Sequence, residues 1–157
     1  MTAVTKWLAD ELKRRRASFV LARDRRVLCV SSEAGVLPLV GALEELGEDC
    51  RGGWLADRVV GRAVAMAVLA RGIEVVWAEV LSCGARQLLE GNVSLDWRQE
   101  VPVILRPDGK GVCAFERLVA GVEDPCEGYR MLVRVATGRM ALPPPPKAQE
   151  GGCPVEG

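Results

Sequence analysis

From Asp57 to Leu89 the chain carries few polar residues, and that stretch limits the folds open to it more than any other. Val60, Gly61, Ala63, Val64, Ala65, Ala67, Val68 and Leu69 leave almost no polar face, so a helix over Asp57 to Arg71 must be covered on most sides. Asp57 can cap that helix by accepting a backbone N–H, and Gly72 can end it in the left-handed conformation. Ile73, Val75, Val76, Trp77, Val80 and Leu81 then form a nearly continuous apolar run, which predicts an interior strand over 74–81. The strand opens at Ser82-Cys83-Gly84-Ala85 into a second helix. Junctions of this kind are where open α/β sheets take their ligands.

The rest of the chain supplies the layers around this unit. Thr5 starts a first helix that sets Trp7, Leu8 and Leu12 on one side and ends in Lys13-Arg14-Arg15-Arg16, where cations meet the negative end of the helix dipole. Residues 18–22 and 26–30 flank Arg23-Asp24-Arg25 as a hairpin. A helix over 33–46 places Val36, Leu39, Val40, Leu43 and Leu46 at helical spacing, with Pro38 near its first turn. After the helix at Cys83, Gly91-Asn92 turns the chain into strands over 93–97 and 101–105, and Pro102 marks the second as an edge. Cys113 opens a helix to about Ala120, and Asp124-Pro125-Cys126-Glu127 caps the last one. Four prolines from Pro143 to Pro146, followed by Gly151-Gly152, cannot pack a core, so 138–157 reads as a disordered tail on a domain of 1–137. Strands separated by helices predict a three-layer α/β/α domain with a mixed sheet of about five strands.

Charge and cysteine usage exclude several functions. Lys+Arg and Asp+Glu balance at 21 each, which gives no overall pull toward nucleic acid or anionic membrane. No run approaches the roughly 18 apolar residues of a membrane span, and the charged N-terminus is no signal peptide, so the expected location is cytoplasmic. Cys29, Cys50, Cys83, Cys113, Cys126 and Cys153 form no C-x₂₋₄-C knuckle, and histidine is absent. That pattern argues against a zinc finger and most catalytic zinc sites, and no metal or cofactor is assigned.

Several stretches together resemble a known family. They are Arg51 to Ala70 with Asp57-Arg58-Val59-Val60-Gly61, then Gly72-Ile73-Glu74-Val75-Val76-Trp77-Ala78 and Ser82-x-x-Ala85, then Arg106-Pro107-Asp108-Gly109-x-Gly111-x-Cys113-x-x-Glu116 with Asp124-Pro125. Over residues 19–136 the chain is similar to the uncharacterised bacterial domain-of-unknown-function 1893 family, although Ala114 stands where members typically carry proline. The resemblance implies a cytidine-deaminase-like fold. Zinc deaminases open the central helix with a His or Cys followed two residues later by a catalytic Glu, and the next helix with P-C-x-x-C. Here the corresponding positions hold Asp57, Val59 and a single Cys83, which removes both the metal set and the proton shuttle.

The remaining candidates are ligand contacts. Asp57, Arg58, Ser82, Cys83, Lys110 and Cys113 are expected around one pocket, with Asp57 and Cys83 side by side at its mouth. Cys83 is also the one catalytic candidate, because a helix N-terminus and Arg86 would lower its thiol pKa. Gly109-Lys110-Gly111 offers backbone N–H groups and a cation to an anion. Each has a plainer structural reading: Asp57 as a cap, Cys83 as a small packed residue, and the glycines as a turn with Glu116 satisfying the Cys113 N–H. The preferred function is binding of a small anionic or nucleotide-like ligand. The groove at Gly61 and Ala65 makes a homo-oligomer the expected assembly, and the alternatives are a cysteine- or carboxylate-dependent enzyme on a nucleotide-like substrate, and a homo-oligomeric interaction module without a small ligand.

Overall fold

The computed structural model describes residues 1–145. Its first helix, α1 (Ala3–Arg15), is capped by Thr2 and not by Thr5. The Thr2 hydroxyl accepts the Thr5 N–H while the Thr5 hydroxyl accepts the Thr2 N–H, a reciprocal pairing that satisfies two free donors. The hairpin forms where the sequence predicts it, with β1 (Phe19–Arg23) antiparallel to β2 (Arg26–Ser31). Asp24 and Arg25 both take positive φ at its tip, the conformation whose twist suits a two-residue turn. Helix α2 (Leu37–Leu46) begins four residues later than expected, with Pro38 in its opening positions. Starting at Glu33 would place Pro38 deeper in the helix, where its missing N–H and its ring break the ladder.

The main correction lies at 54–60. In place of a helix from Asp57, the chain runs as β3 (Trp54–Val60), and α3 (Arg62–Arg71) starts only after Gly61. β3 pairs antiparallel with β1 and parallel with β4 (Val75–Ser82), so it is the central strand. Helix α4 (Cys83–Leu89) leads into β5 (Ser94–Val101), parallel to β4, and the sheet order is β2-β1-β3-β4-β5. The strand expected over 101–105 does not form. β5 absorbs Val101, Pro102 follows it directly, and beyond it Leu105 makes only an isolated bridge to Val112. The sheet is mixed and five-stranded as predicted, with one strand exchanged for another.

Two apolar clusters define three layers. α1 packs Leu8 and Leu12 on Val20, Ala56 and Trp77 of one sheet face. The other face carries Leu55, Val76 and Ala78 beneath α2, α3, α4 and α6 (Pro125–Ala136), where α3 is buried along nearly its whole length. Asp124 caps α6 as expected, accepting the Cys126 N–H at 3.1 Å. A Cβ on Gly128 would fall on the Met66 sulfur, so α3 and α6 cross with closely spaced backbones. The short α5 (Ala114–Leu118) precedes α6, and Arg117 donates to the Pro143 and Pro144 carbonyls, drawing that part of the predicted tail back onto α5. The remainder of the tail, 146–157, lies outside the described residues. Among the described residues no helix is long and apolar enough to cross a membrane.

Candidate functional site at the carboxyl ends of the parallel strands

Strands β3 and β4 each hand over to a helix at the same end of the sheet, at Gly61 and at Ser82. At the first junction the Glu116 carboxylate of α5 sits across the start of α3, accepting the Arg62 N–H at 2.7 Å and the Ala63 N–H at 2.9 Å. Arg62 returns the contact, its guanidinium donating to the Val119 and Val122 carbonyls. A carboxylate with an N–H on each oxygen suits the positive end of a helix dipole. Gly61 makes the approach possible, because a Cβ there would lie 2.6–2.7 Å from the Glu116 carboxyl atoms. Glu116 therefore does not serve the Cys113 N–H, which donates to the Ile104 carbonyl at 3.0 Å. The groove anticipated at Gly61 and Ala65 is closed, since Glu116 covers Gly61 and Ala65 is fully buried.

Asp57 lies inside β3, opposite Phe19 of β1 and Ala78 of β4. Its carboxylate accepts the Val59 N–H at 3.1 Å and has no cationic partner among the described residues. Burial pushes its pKa up to about 8, with backbone N–H groups of Val59 and Arg58 pulling weakly the other way. The residue is half-buried. Because β3 is a strand, Asp57 and the exposed Arg58 leave it on opposite faces and do not share a cleft. Nor are Asp57 and Cys83 side by side. Asp57 pairs with Ala78, and from there to Ser82 the chain advances about 13 Å along β4.

The second junction uses its residues locally. Ser82 is buried and its hydroxyl accepts the Ala85 N–H at 3.0 Å, capping α4. Cys83 is exposed, with its sulfur 3.2 Å from Glu100 of β5, and Glu100 also accepts from Arg86 at 2.8 Å. The expected lowering of the thiol pKa is reversed. The Glu100 hydrogen bond raises it, and the opposing charge of Arg86 is the smaller influence. Alkylation of Cys83 followed by peptide mass mapping should therefore show a pH midpoint above that of a free thiol, and Glu100→Gln should bring it down. A midpoint below 8, the activated range, would restore the nucleophile reading. Lys110 stands exposed on the loop after β5, where its N–H is already taken by the Asp108 carboxylate at 2.9 Å. Cys113 precedes α5 and makes no side-chain cap.

The donor set does not suit the zinc that deaminase chemistry requires. Among the described residues no three cysteine, aspartate or glutamate side chains converge as metal ligands.

A family model described as Domain of unknown function (DUF1893) matches residues 7–135. The chain belongs to that family. A crystal structure of a DUF1893 family protein from Thermotoga maritima is similar to it, with 25% sequence identity and a TM-score of 0.75, covering 86% of this chain and 91% of that one. No curated protein matches. In this DUF1893 chain, Glu116, Arg62 and Glu100 organise the junctions although none was picked out as a site residue. The available signal for the first two was Gly61 immediately before a buried helix with no Ser, Thr, Asp or Asn to cap it, which calls for a partner from elsewhere in the chain.

Proposed function

We propose that this DUF1893 chain binds a small nucleotide-like ligand without zinc, recognising its hydrogen-bonding edge through the carboxyl of Asp57. One observation carries the reading: a half-buried carboxyl on the central strand, between Phe19 and Ala78 of the neighbouring strands, with a raised pKa and no cationic partner among the described residues. A half-buried carboxyl without a cation costs stability, and a functional contact is one reason to keep it. Held with its proton at neutral pH, it offers one donor and one acceptor, the pairing that a nucleobase edge or an amide presents. A purely anionic ligand fits this end of the sheet less well, because Glu116 already occupies the start of α3.

Thermal unfolding in the presence of nucleosides, nucleotides and sugar phosphates tests the proposal. A ligand at about a hundredfold excess over its Kd should raise Tm by about 5 °C or more. Asp57→Asn, which keeps a donor and an acceptor, should preserve the shift, and Asp57→Ala should abolish it. The wild-type shift should shrink as pH rises through about 8, where Asp57 loses its proton. Absence of any shift across the panel, or one indifferent to Asp57→Ala, refutes the reading.

A further inference from the structure

The end of α3 remote from Glu116 borders a second concavity. Arg71 of α3, Glu44 of α2 and Tyr129, Arg130 and Arg134 of α6 line a groove of about 380 Å³, within the range of small-molecule sites. In a chain whose formal charges cancel, this gathers three guanidiniums against one carboxylate. None of the three is in an ion pair among the described residues. Glu44, whose carboxylate accepts the Tyr129 hydroxyl, offsets one of these charges and leaves an excess of positive charge in the groove.

Arg71 supplies the second observation. Its guanidinium lies over the Tyr129 ring at 5.8 Å, and its Nε is shielded from solvent with no hydrogen-bond partner. A donor left without an acceptor is unfavourable, and an anion settling on the Arg71 guanidinium would offset that. Arg130 and Arg134 stand one turn apart on the exposed side of α6, both bordering the same groove. Planar guanidinium forks match the tetrahedral oxygens of phosphate better than any other side chain does. Tyr129 is fixed as a donor to Glu44, since burial and then that carboxylate push its pKa up, so it remains neutral beside the anion.

We propose that this groove binds the phosphate group of a small phosphomonoester, held by Arg71, Arg130 and Arg134. The site is separate from Asp57 and does not depend on a ligand there. Calorimetric titration of the full chain with inorganic phosphate, ribose 5-phosphate and adenosine monophosphate tests it, with adenosine as the uncharged control. The phosphorylated probes should bind with an affinity that falls as salt rises. The double variant Arg130→Ala/Arg134→Ala should weaken them about tenfold or more. Both side chains are exposed, so the variant should keep the wild-type Tm. Asp57→Ala should leave inorganic phosphate binding unchanged. Failure of every phosphorylated probe to bind at millimolar concentration, or equal binding by the double variant, overturns the proposal.

Discussion

Gly61→Ala should lower the unfolding free energy by about 2–3 kcal/mol, measured by urea titration at pH 7. The sign makes the result informative. Gly61 has φ −101° and ψ −171°, extended backbone that alanine adopts freely, so the substitution would ordinarily stabilise by about 0.4–1 kcal/mol through the unfolded chain. Here the new methyl occupies the place of the Glu116 carboxylate, and the two charge-assisted hydrogen bonds to the start of α3 must break or stretch. Glu116→Ala should cost about 2–4 kcal/mol, because it leaves the Arg62 and Ala63 N–H groups without acceptors at a partly buried helix end. The two losses should not add. In the Glu116→Ala background Gly61→Ala should be neutral or mildly stabilising, and additive losses would show that the carboxylate is not what the glycine accommodates.

The second large effect is a pH dependence at Asp57. A carboxyl whose pKa is raised from 3.8 to about 8 by folding holds its proton more tightly in the folded chain than in the unfolded one. Its contribution is complete below pH about 4 and is lost as pH rises toward 8, after which the curve is flat. Asp57→Asn keeps an acceptor for the Val59 N–H and cannot ionise, so it should gain on the wild type steadily across that window. The difference should amount to several kcal/mol by pH 8, at about 1.4 kcal/mol for each pH unit between the unfolded and folded pKa values. Parallel wild-type and Asp57→Asn stability curves between pH 4 and 8 would mean that the carboxyl ionises normally.

Much of the fold was legible because local signals agreed with tertiary need. The hairpin showed in two apolar runs flanking Arg23-Asp24-Arg25, β4 in a nearly continuous apolar run, α6 in Asp124-Pro125, and the family in motifs spread over most of the chain. The failure at 54–60 has a physical origin. Leu55, Ala56, Val59 and Val60, interrupted only by Asp57-Arg58, lead within two residues into Ala63, Val64 and Ala65, and a strand buried at the sheet centre is hard to separate by hydrophobic period from the buried helix that follows it. Gly53 and Gly61, bracketing β-branched Val59 and Val60, were the signs of a strand with a turn at each end. Once Asp57 moves from a helix start to a strand interior, Arg58 necessarily faces away from it, and the expected pocket loses its geometry. The clasp between Glu116 and α3 joins residues more than fifty positions apart, and nothing local to either segment announces the other.

The hold of Arg117 on the Pro143 and Pro144 carbonyls keeps these prolines beside α5, the same short element that carries the clasp. An environment-sensitive dye attached at Pro145, after its replacement by cysteine, would thus sit beside α5 and report optically on that element.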